Sequence, residues 1–388
     1  MDLYMIVGDP HLGNGSIGKS VPGQHINSRV QDQFDIFEWI FQQALSKKAT
    51  GIILTGDVFH SPTPHFIIID MFAEWCVKVK NAGIELLIVA GNHDILRFGS
   101  EYRSPLDLIE KIGIKVINEI TTIHGNGINL TLLPFRDRKS LSADTTDEGV
   151  AIIQSQLDME ISKLSPTSLN VCVGHLAIKG SVYYDEVKDM TNELVFPAEM
   201  FDFFDRTVMG HIHSPQEMSD KVCHIGSMDI SNFGETDQVK KVIFIGKDHF
   251  EEVVTPTRKL NHVNITVPKD VKDPTAYIIN ELKSRNVTNS IFKLDIVTED
   301  CVLKIDRKMI ESSLLSDGAF HVSAISESNV KEVLEAKTFE ISIDTGMENG
   351  IAVFARRRFG DDEKRAGKFM SFIYEIIREY EEKLLAKH

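Results

Sequence analysis

Several things are scarce or missing in this 388-residue chain. No apolar run reaches the roughly 18 residues that a membrane-spanning helix requires, so no transmembrane span is expected. Met1-Asp2-Leu3-Tyr4 has neither the charged nor the apolar region of a secretory leader, so none is expected. The four cysteines, Cys76, Cys172, Cys223 and Cys301, are scattered, form no CxxC pair, and mostly sit inside apolar runs. That excludes a disulfide scaffold and points to buried thiols in a reducing, cytoplasmic setting. Repeats and low-complexity tracts are absent, which argues against solenoid, collagen-like and disordered classes. A basic excess, the usual mark of a nucleic-acid binder, is absent as well: the net charge is -15. Residues 356–388 nevertheless carry nine Lys/Arg against seven Asp/Glu, leaving -17 on the rest. An acidic body can still process a phosphodiester if its carboxylates hold divalent cations, because the ions become the largest local charges. What remains is ordinary for a globular protein, with 42% hydrophobic and 26% charged residues, and a length suited to two or three domains.

Strand-length apolar runs alternate with helical patterns over the first 250 residues or so. Residues 3–7 form a buried run ending at Gly8-Asp9-Pro10-His11, residues 51–55 one ending at Gly56-Asp57, and residues 84–90 one ending at Gly91-Asn92-His93-Asp94. Between them, Val30, Phe34, Phe37, Ile40, Phe41 and Leu45 recur at helical spacing, and 64–80 reads as a helix with Pro64 near its first turn. This rhythm predicts an α/β sheet with parallel neighbours. Further strands are predicted at 115–118, 130–133, 169–173, 206–209, 221–225 and 240–245, and two of these end at Gly174-His175 and Gly210-His211-Ile212-His213. Every polar cluster therefore lies just past the C-terminal end of an apolar strand, where open α/β sheets bind ligands. The pattern changes near Thr255-Pro256-Thr257. Strands at 261–267, 291–297 and 302–306, a helix at 274–285 and a strand pair around 338–355 predict a small α+β domain. Residues from 356 read as a linker, followed by a helix to about 386 with Phe369, Ile373, Ile376, Tyr380 and Leu384 on one face. The expected organisation is a first domain over 1–255, a second over 257–355, and a linker with a helix over 356–388.

The clusters Asp9-x-His11, Gly56-Asp57, Gly91-Asn92-His93-Asp94, Gly174-His175 and Gly210-His211-x-His213 hold two aspartates, one asparagine and five histidines at strand ends. Mixed carboxylate and imidazole donors suit manganese, iron or zinc, whereas a magnesium site uses fewer imidazoles. Setting His93 aside leaves seven donors, too many for one tetrahedral ion, and a carboxylate shared between two ions resolves the count. Two such ions, roughly 3.5–4 Å apart, activate a water and clamp a phosphoryl oxygen during in-line displacement. A Gly-Asp at a strand end is often only a turn, and a lone Asp-x-His is common. Five such clusters in this order, each at a strand end, are not a structural accident.

The set resembles the calcineurin-like metallophosphoesterase superfamily, whose pattern is D-x-H, G-D, G-N-H-D/E, a single His and G-H-x-H, over about residues 1–230. The resemblance implies a β-sandwich flanked by helices. It implies that Asp9, His11 and His213 hold one ion, Asn92, His175 and His211 the other, and that Asp57 bridges the two. It implies that His93 is no ligand but stabilises the transition state or protonates the leaving oxygen. Gly56-Asp57-Val58-Phe59-His60-Ser61-Pro62 lacks the V-D-R-G of the protein phosphatases of this type and resembles the G-D-x-F-H of Mre/SbcD-type DNA repair nucleases, as Asp9-Pro10-His11-Leu12-Gly13 resembles their D-x-H-L-G. That likeness implies a manganese-dependent DNA nuclease, with double-strand exonuclease and single-strand endonuclease action. The domain over 257–355 would be its capping domain, and the C-terminal helix would dock on an SMC-like ABC ATPase in DNA end processing and repair. The alternative is a phosphodiesterase acting on small nucleotides or other small phosphoesters. His60 is expected near His93, as a second catalytic residue that tunes it or contacts DNA, the plainer reading being a surface loop histidine. Asp94 either orients His93 or caps the next segment.

Other features carry weaker expectations. Gly13-x-x-x-x-Gly18-Lys19-Ser20 fits a phosphate-loop expression, but Pro22 and Gly23 follow at once and no helix starts there, so a flexible polar loop over 14–28 is expected instead. Residues 66–79 are apolar nearly all round a helix and read either as core or as a homodimer interface, to be tested at Ile68 and Phe72. Arg97, Arg103, Arg136, Arg138 and Lys139 are candidate phosphate contacts. Gly226-Ser227 lies either near the site or in a plain turn.

Overall fold

The computed structural model describes residues 1–23, 25–98, 101–182, 193–299 and 304–329. Cys301, the expected strand pair around 338–355, the linker and the C-terminal helix lie outside them. The chain divides into two compact units: Met1–Val263 with Arg285–Lys293 and Glu311–Ala324, and Asn264–Ser284 with Leu294–Ile310 and the chain from Ile325.

The first unit is built on two six-stranded sheets. One runs β16 (His249–Val254), β15 (Lys241–Gly246), β1 (Leu3–Val7), β2 (Gly51–Leu54), β3 (Glu85–Val89), β6 (Lys115–Ile117). Here β1, β2, β3 and β6 are parallel, while β15 is antiparallel to β1 and β16 to β15. The other runs β13 (Gln216–Glu217), β14 (Val222–His224), β12 (Arg206–Met209), β9 (Leu169–Gly174), β8 (Ile128–Leu133), β7 (Thr121–His124). Its four inner strands are parallel and both edge strands antiparallel. Short pairs join β4 (Leu96–Phe98) to β5 (Glu101–Arg103) and β10 (Ala177–Ile178) to β11 (Val195–Phe196).

Side-chain alternation explains the layering. Tyr4 and Ile6 of β1, Ile53 of β2 and Leu87 and Val89 of β3 face Leu130, Leu132, Val171, Val173 and Val208 of the second sheet. Met5, Val7, Ile52, Leu54, Leu86 and Ile88 face the other way, onto helices α1 (Ser28–Ser46) and α2 (Phe66–Asn81). Leu133, Cys172 and Met209 of the second sheet pack on α4 (Thr146–Ile161). The result is a sandwich with helices outside it, and α3 (Leu106–Lys111) packs beside β6. Strands buried on both faces read as continuous apolar runs, which is why they are visible in the sequence but the split into two sheets is not.

Helix ends follow capping rules. The Asn27 side chain accepts from Arg29 N and Val30 N at the start of α1, and Thr145 accepts from Glu148 N at α4. For α2 the cap is His65, and Pro64 stands immediately before it, next to the first turn. The described residues at both ends of the 14–28 segment are bonded to the body. Gln33 holds the segment by accepting from Gly13 N at 3.0 Å and donating to the carbonyls of His11 and Asn14, and Asn27 donates to Gly15 O at 2.7 Å. Lys19 donates to Phe320 O at 2.8 Å and lies over the Phe320 ring, so it serves the fold.

Beyond residue 259 a three-stranded sheet runs β17 (Leu260–Val267), β18 (Ile291–Thr298), β19 (His321–Asn329), with α5 (Pro274–Leu282) capped by Asp273 and α6 (Arg307–Ser316). Residues 304–306, expected in a strand, are irregular chain leading into α6, and β19 takes the place of a third strand.

Candidate metal centre

Asp9 and His11 follow β1, Asp57 follows β2, and Asn92 and His93 form a single helical turn after β3, all from one sheet. His175 follows β9, and His211 and His213 follow β12, from the other. Sharp reversals bring these ends together. His11, Asp57 and His211 all adopt positive φ, at 45°, 48° and 80°, a region where non-glycine residues are uncommon. Cross-strand bonds hold the reversals: His11 N donates to Asp57 O at 2.9 Å and Leu12 N to Val58 O at 2.8 Å. Close approach also demands glycine. A Cβ on Gly91 would stand 2.1 Å from Asp57 N, and one on Gly56 (φ 121°) 2.3 Å from His175 Nδ1.

The other donors lie on two sides of Asp57, with Asp9 also grouping with Asp57 and His175, and His93 with His11 and Asp57. On one side, His11 Nε2 lies 2.7 Å from His213 Nε2 and 3.6 Å from Asp57 Oδ2, and donor atoms of Asp9, His11 and His213 all lie within 4.8 Å of one another. On the other side, His175 Nε2 lies 2.9 Å from Asn92 Oδ1, 3.2 Å from His211 Nδ1 and 3.3 Å from Asp57 Oδ1, and His211 Nδ1 lies 3.0 Å from Asn92 Oδ1. Atoms bound to one divalent ion at about 2.0–2.2 Å lie roughly 3 Å from each other, so this spacing fits such an ion. Asp9 joins the halves differently: Oδ1 accepts from Thr55 Oγ1 at 2.9 Å and Oδ2 from His211 N at 2.7 Å.

The electrostatics also require positive charge. Asp9, Asp57 and His175 are essentially inaccessible to solvent. Burial works against charge on His175, yet Asp57 and Asp9 beside it raise its pKa to about 9. Burial likewise opposes ionisation of Asp57, and His175 with His11 overcomes it, holding the carboxyl well below its usual range. Burial and the neighbouring His213 press the His11 imidazole well below its ordinary value. A proton on His175 thus stands where a cation would bind, and metal binding would release it.

Outer partners choose the tautomers. A carbonyl can only accept, so His175 Nδ1–H donates to Thr55 O at 3.0 Å and leaves Nε2 to the centre. His211 Nε2–H donates to Glu193 Oε1. His213 Nδ1 lies 3.7 Å from Glu235 Oε1. Nδ1 of His11 is buried and has no hydrogen-bond partner among the described residues. The Phe135 ring packs against His175 and His211, with centroids 6.2 and 5.8 Å away.

His93 N donates to Asp57 Oδ1 at 2.8 Å, and its Nδ1–H donates to the His60 carbonyl at 2.8 Å. His60 therefore does lie beside His93, but holds it through its backbone, with the two rings nearly parallel 6.1 Å apart. Asp94 does not touch the His93 ring. Its buried carboxylate accepts from Val58 N, Phe59 N and Gly91 N at 3.0–3.2 Å, clamping the two loops that carry Asp57 and Asn92. Burial, with Asp57 nearby, pushes its pKa up to about 7. Gly226-Ser227 is a turn that packs on this region: Ser227 N donates to His213 O at 3.0 Å and Met228 N to Asp9 O at 3.2 Å.

A cavity of about 370 Å³ adjoins Phe135 and is lined also by Ile95, Asn118, Arg103 and Arg136. Two of the five arginine and lysine candidates thus share one cavity. Arg136 donates to the carbonyls of Phe135 and Asn118, and Arg138 to Asp144 O, so both guanidinium groups brace backbone. Thr55, Phe135, Glu193 and Glu235 were invisible to motif reading, being single residues of common type with no fixed offset from a cluster.

The profile of the family described as calcineurin-like phosphoesterase matches residues 4–215. Among solved structures, a dimetal phosphatase from Danio rerio is similar at 9% identity and a TM-score of 0.39, over 66% of this chain and 99% of that one.

Proposed function

The chain belongs to the calcineurin-like phosphoesterases, a family of metal-dependent hydrolases, and we propose that within it the protein is a two-metal DNA nuclease of the Mre/SbcD type. The observation that supports its two-metal part is the convergence of Asp9, His11, Asp57, Asn92, His175, His211 and His213, with one Asp57 oxygen turned to His11 and the other to His175. Asp9, His11 and His213 would hold one ion, Asn92, His175 and His211 the other, and Asp57 both. Manganese is the proposed ion.

Bound divalent cations supply charge that activates water and neutralises phosphoryl oxygens. The chain's own residues do the rest. Buried Asp9 and Asp57 set the negative field that draws the ions in, and the bond from His93 N fixes Asp57. With Nδ1–H given to the His60 carbonyl, His93 leaves Nε2 free for the substrate, and in the imidazolium form that nitrogen would give its proton to the departing sugar oxygen. DNA rather than a small ester is supported by the G-D-x-F-H stretch at 56–60. A homodimer, and an SMC-like ABC ATPase bound through the C-terminal helix, belong to the same proposal.

The test is cleavage of end-labelled double- and single-stranded DNA with manganese, beside a small phosphodiester, for wild type and His93→Ala. DNA degradation by wild type is expected, with a loss of at least about 10²-fold in His93→Ala while metal uptake persists. Hydrolysis of the small ester alone, unchanged by an ATPase partner, would leave the metal centre standing and refute the nuclease reading.

A further inference from the structure

The paired histidines 211 and 213 each turn one ring nitrogen to the metal centre and the other to a glutamate. His211 presents Nδ1 to Asn92 and His175 and donates from Nε2 to Glu193. His213 presents Nε2 to His11, while its Nδ1 lies in ion-pair range of Glu235 at 3.7 Å. One glutamate therefore stands behind each half of the centre.

Both glutamates are firmly placed. The backbone of Glu193 forms a bridge with Asp137, and buried Leu194 and strand β11 follow it at once. Asp137 itself is two residues beyond Phe135, whose ring covers His211, so ring and carboxylate enclose the same imidazole. Glu235 accepts from Ser231 N and Asn232 Nδ2 at 3.0 Å and pairs with buried Lys240 at 2.8 Å. The same lysine donates to the His213 carbonyl at 2.8 Å, so the ion pair holds His213 by its backbone and sets a carboxylate 3.7 Å from its ring.

An imidazole has two neutral tautomers, and only the one with its lone pair toward an ion can bind it. An ionised carboxylate can only accept, so it fixes the N–H on its own side, and it makes the ring a stronger donor. We propose that Glu193 is a positioning residue for its half of the metal centre, holding His211 in the tautomer that binds metal, while Glu235, 3.7 Å from the His213 ring and so beyond a hydrogen bond, steadies the other half through Lys240 on the His213 carbonyl. This rests on the two-metal reading above, and wild type tests that reading in the same experiment.

The experiment is manganese binding by the full chain, followed by calorimetry and by electron paramagnetic resonance, for wild type, Glu193→Ala, Glu193→Gln and Glu235→Gln. Wild type should take up two ions with a spin-coupled spectrum. Glu193→Ala should weaken one ion by roughly 10- to 100-fold, and the spectrum should move toward that of an isolated ion. Glu193→Gln should lose less, because its amide oxygen still accepts from Nε2–H. Glu235→Gln should lose less than Glu193→Ala, because its contact is longer. A purely structural role would leave the affinity of the folded variants and the spectrum unchanged. Two ions bound at wild-type affinity by Glu193→Ala would overturn the proposal alone, whereas a wild type that binds none would overturn the two-metal reading with it. Should Glu193→Ala fail to fold, Glu193→Leu, which fills the space but accepts no hydrogen bond, decides: undiminished affinity for both ions refutes the role.

Discussion

Three of the seven donor residues stand at positive φ. Such conformations cost of the order of 1–3 kcal/mol each and persist only where the surroundings over-determine them; here the bonds from His11 N to Asp57 O and from His211 N to Asp9 Oδ2 do so. Beneath His211, His224 is 1% exposed, with Nδ1–H donating to Gly210 O at 3.0 Å and Nε2 facing the Ser181 hydroxyl at 2.9 Å. Burial presses its pKa down to about 4. The unfolded chain therefore takes up this proton near pH 6.5 and the folded chain only near 4, so the contribution of His224 is complete above about pH 6.5 and declines as pH falls toward 4. The full effect is bounded at roughly 3 kcal/mol. Urea denaturation of metal-free protein between pH 7 and 4.5 should show that decline, and His224→Gln should flatten it.

At the level of elements, α2 is divided between core and solvent. Ile68, Phe72, Trp75, Cys76 and Val79 are buried, Phe72 packs edge-on to Phe37, and Trp75 Nε1 donates to Phe37 O at 2.9 Å. Phe66 is 73% exposed. Ile68 and Phe72 are thus core residues, and a charge there tests folding and not assembly. Ile68→Glu should cost more than about 3 kcal/mol in urea denaturation, because it buries an unpaired carboxylate. Phe66→Glu should stay within about 0.5 kcal/mol. Sedimentation velocity of Phe66→Glu is then the clean probe of the proposed dimer: a shift to monomer supports α2 as its interface, and an unchanged dimer places the interface elsewhere.

For the whole first unit, the donors come from the ends of β1, β2 and β3 in one sheet and of β9 and β12 in the other. Ions bound among them would tie the two sheets together and offset the buried carboxylates. A ligand that binds only the folded state at about 100 times its Kd adds roughly 2.7 kcal/mol per site. Added manganese should therefore raise Tm by several degrees and a chelator should reverse it. Asp57→Asn, which removes the carboxylate facing both halves, should abolish most of the rise in a thermal scan.

The strands and the order of the clusters were legible in the chain because both are local. A strand buried on two faces must be a continuous apolar run, and a donor at its end must be a particular residue type following glycine. The apolar stretches at 3–7, 51–54 and 85–89 and the histidines after them needed no tertiary knowledge. Several features depended on which strand ends meet: the division of the donors about Asp57, the clamp of Asp94 on two loops, the backbone hold of His60 on His93, and the glutamates behind His211 and His213. Asp9 and His211 are 202 positions apart and still share a hydrogen bond. Contacts of that kind arise from the stacking of two sheets, which no periodicity along the chain encodes, and Glu193 and Glu235 become distinguishable from other glutamates only when that stacking brings them to an imidazole.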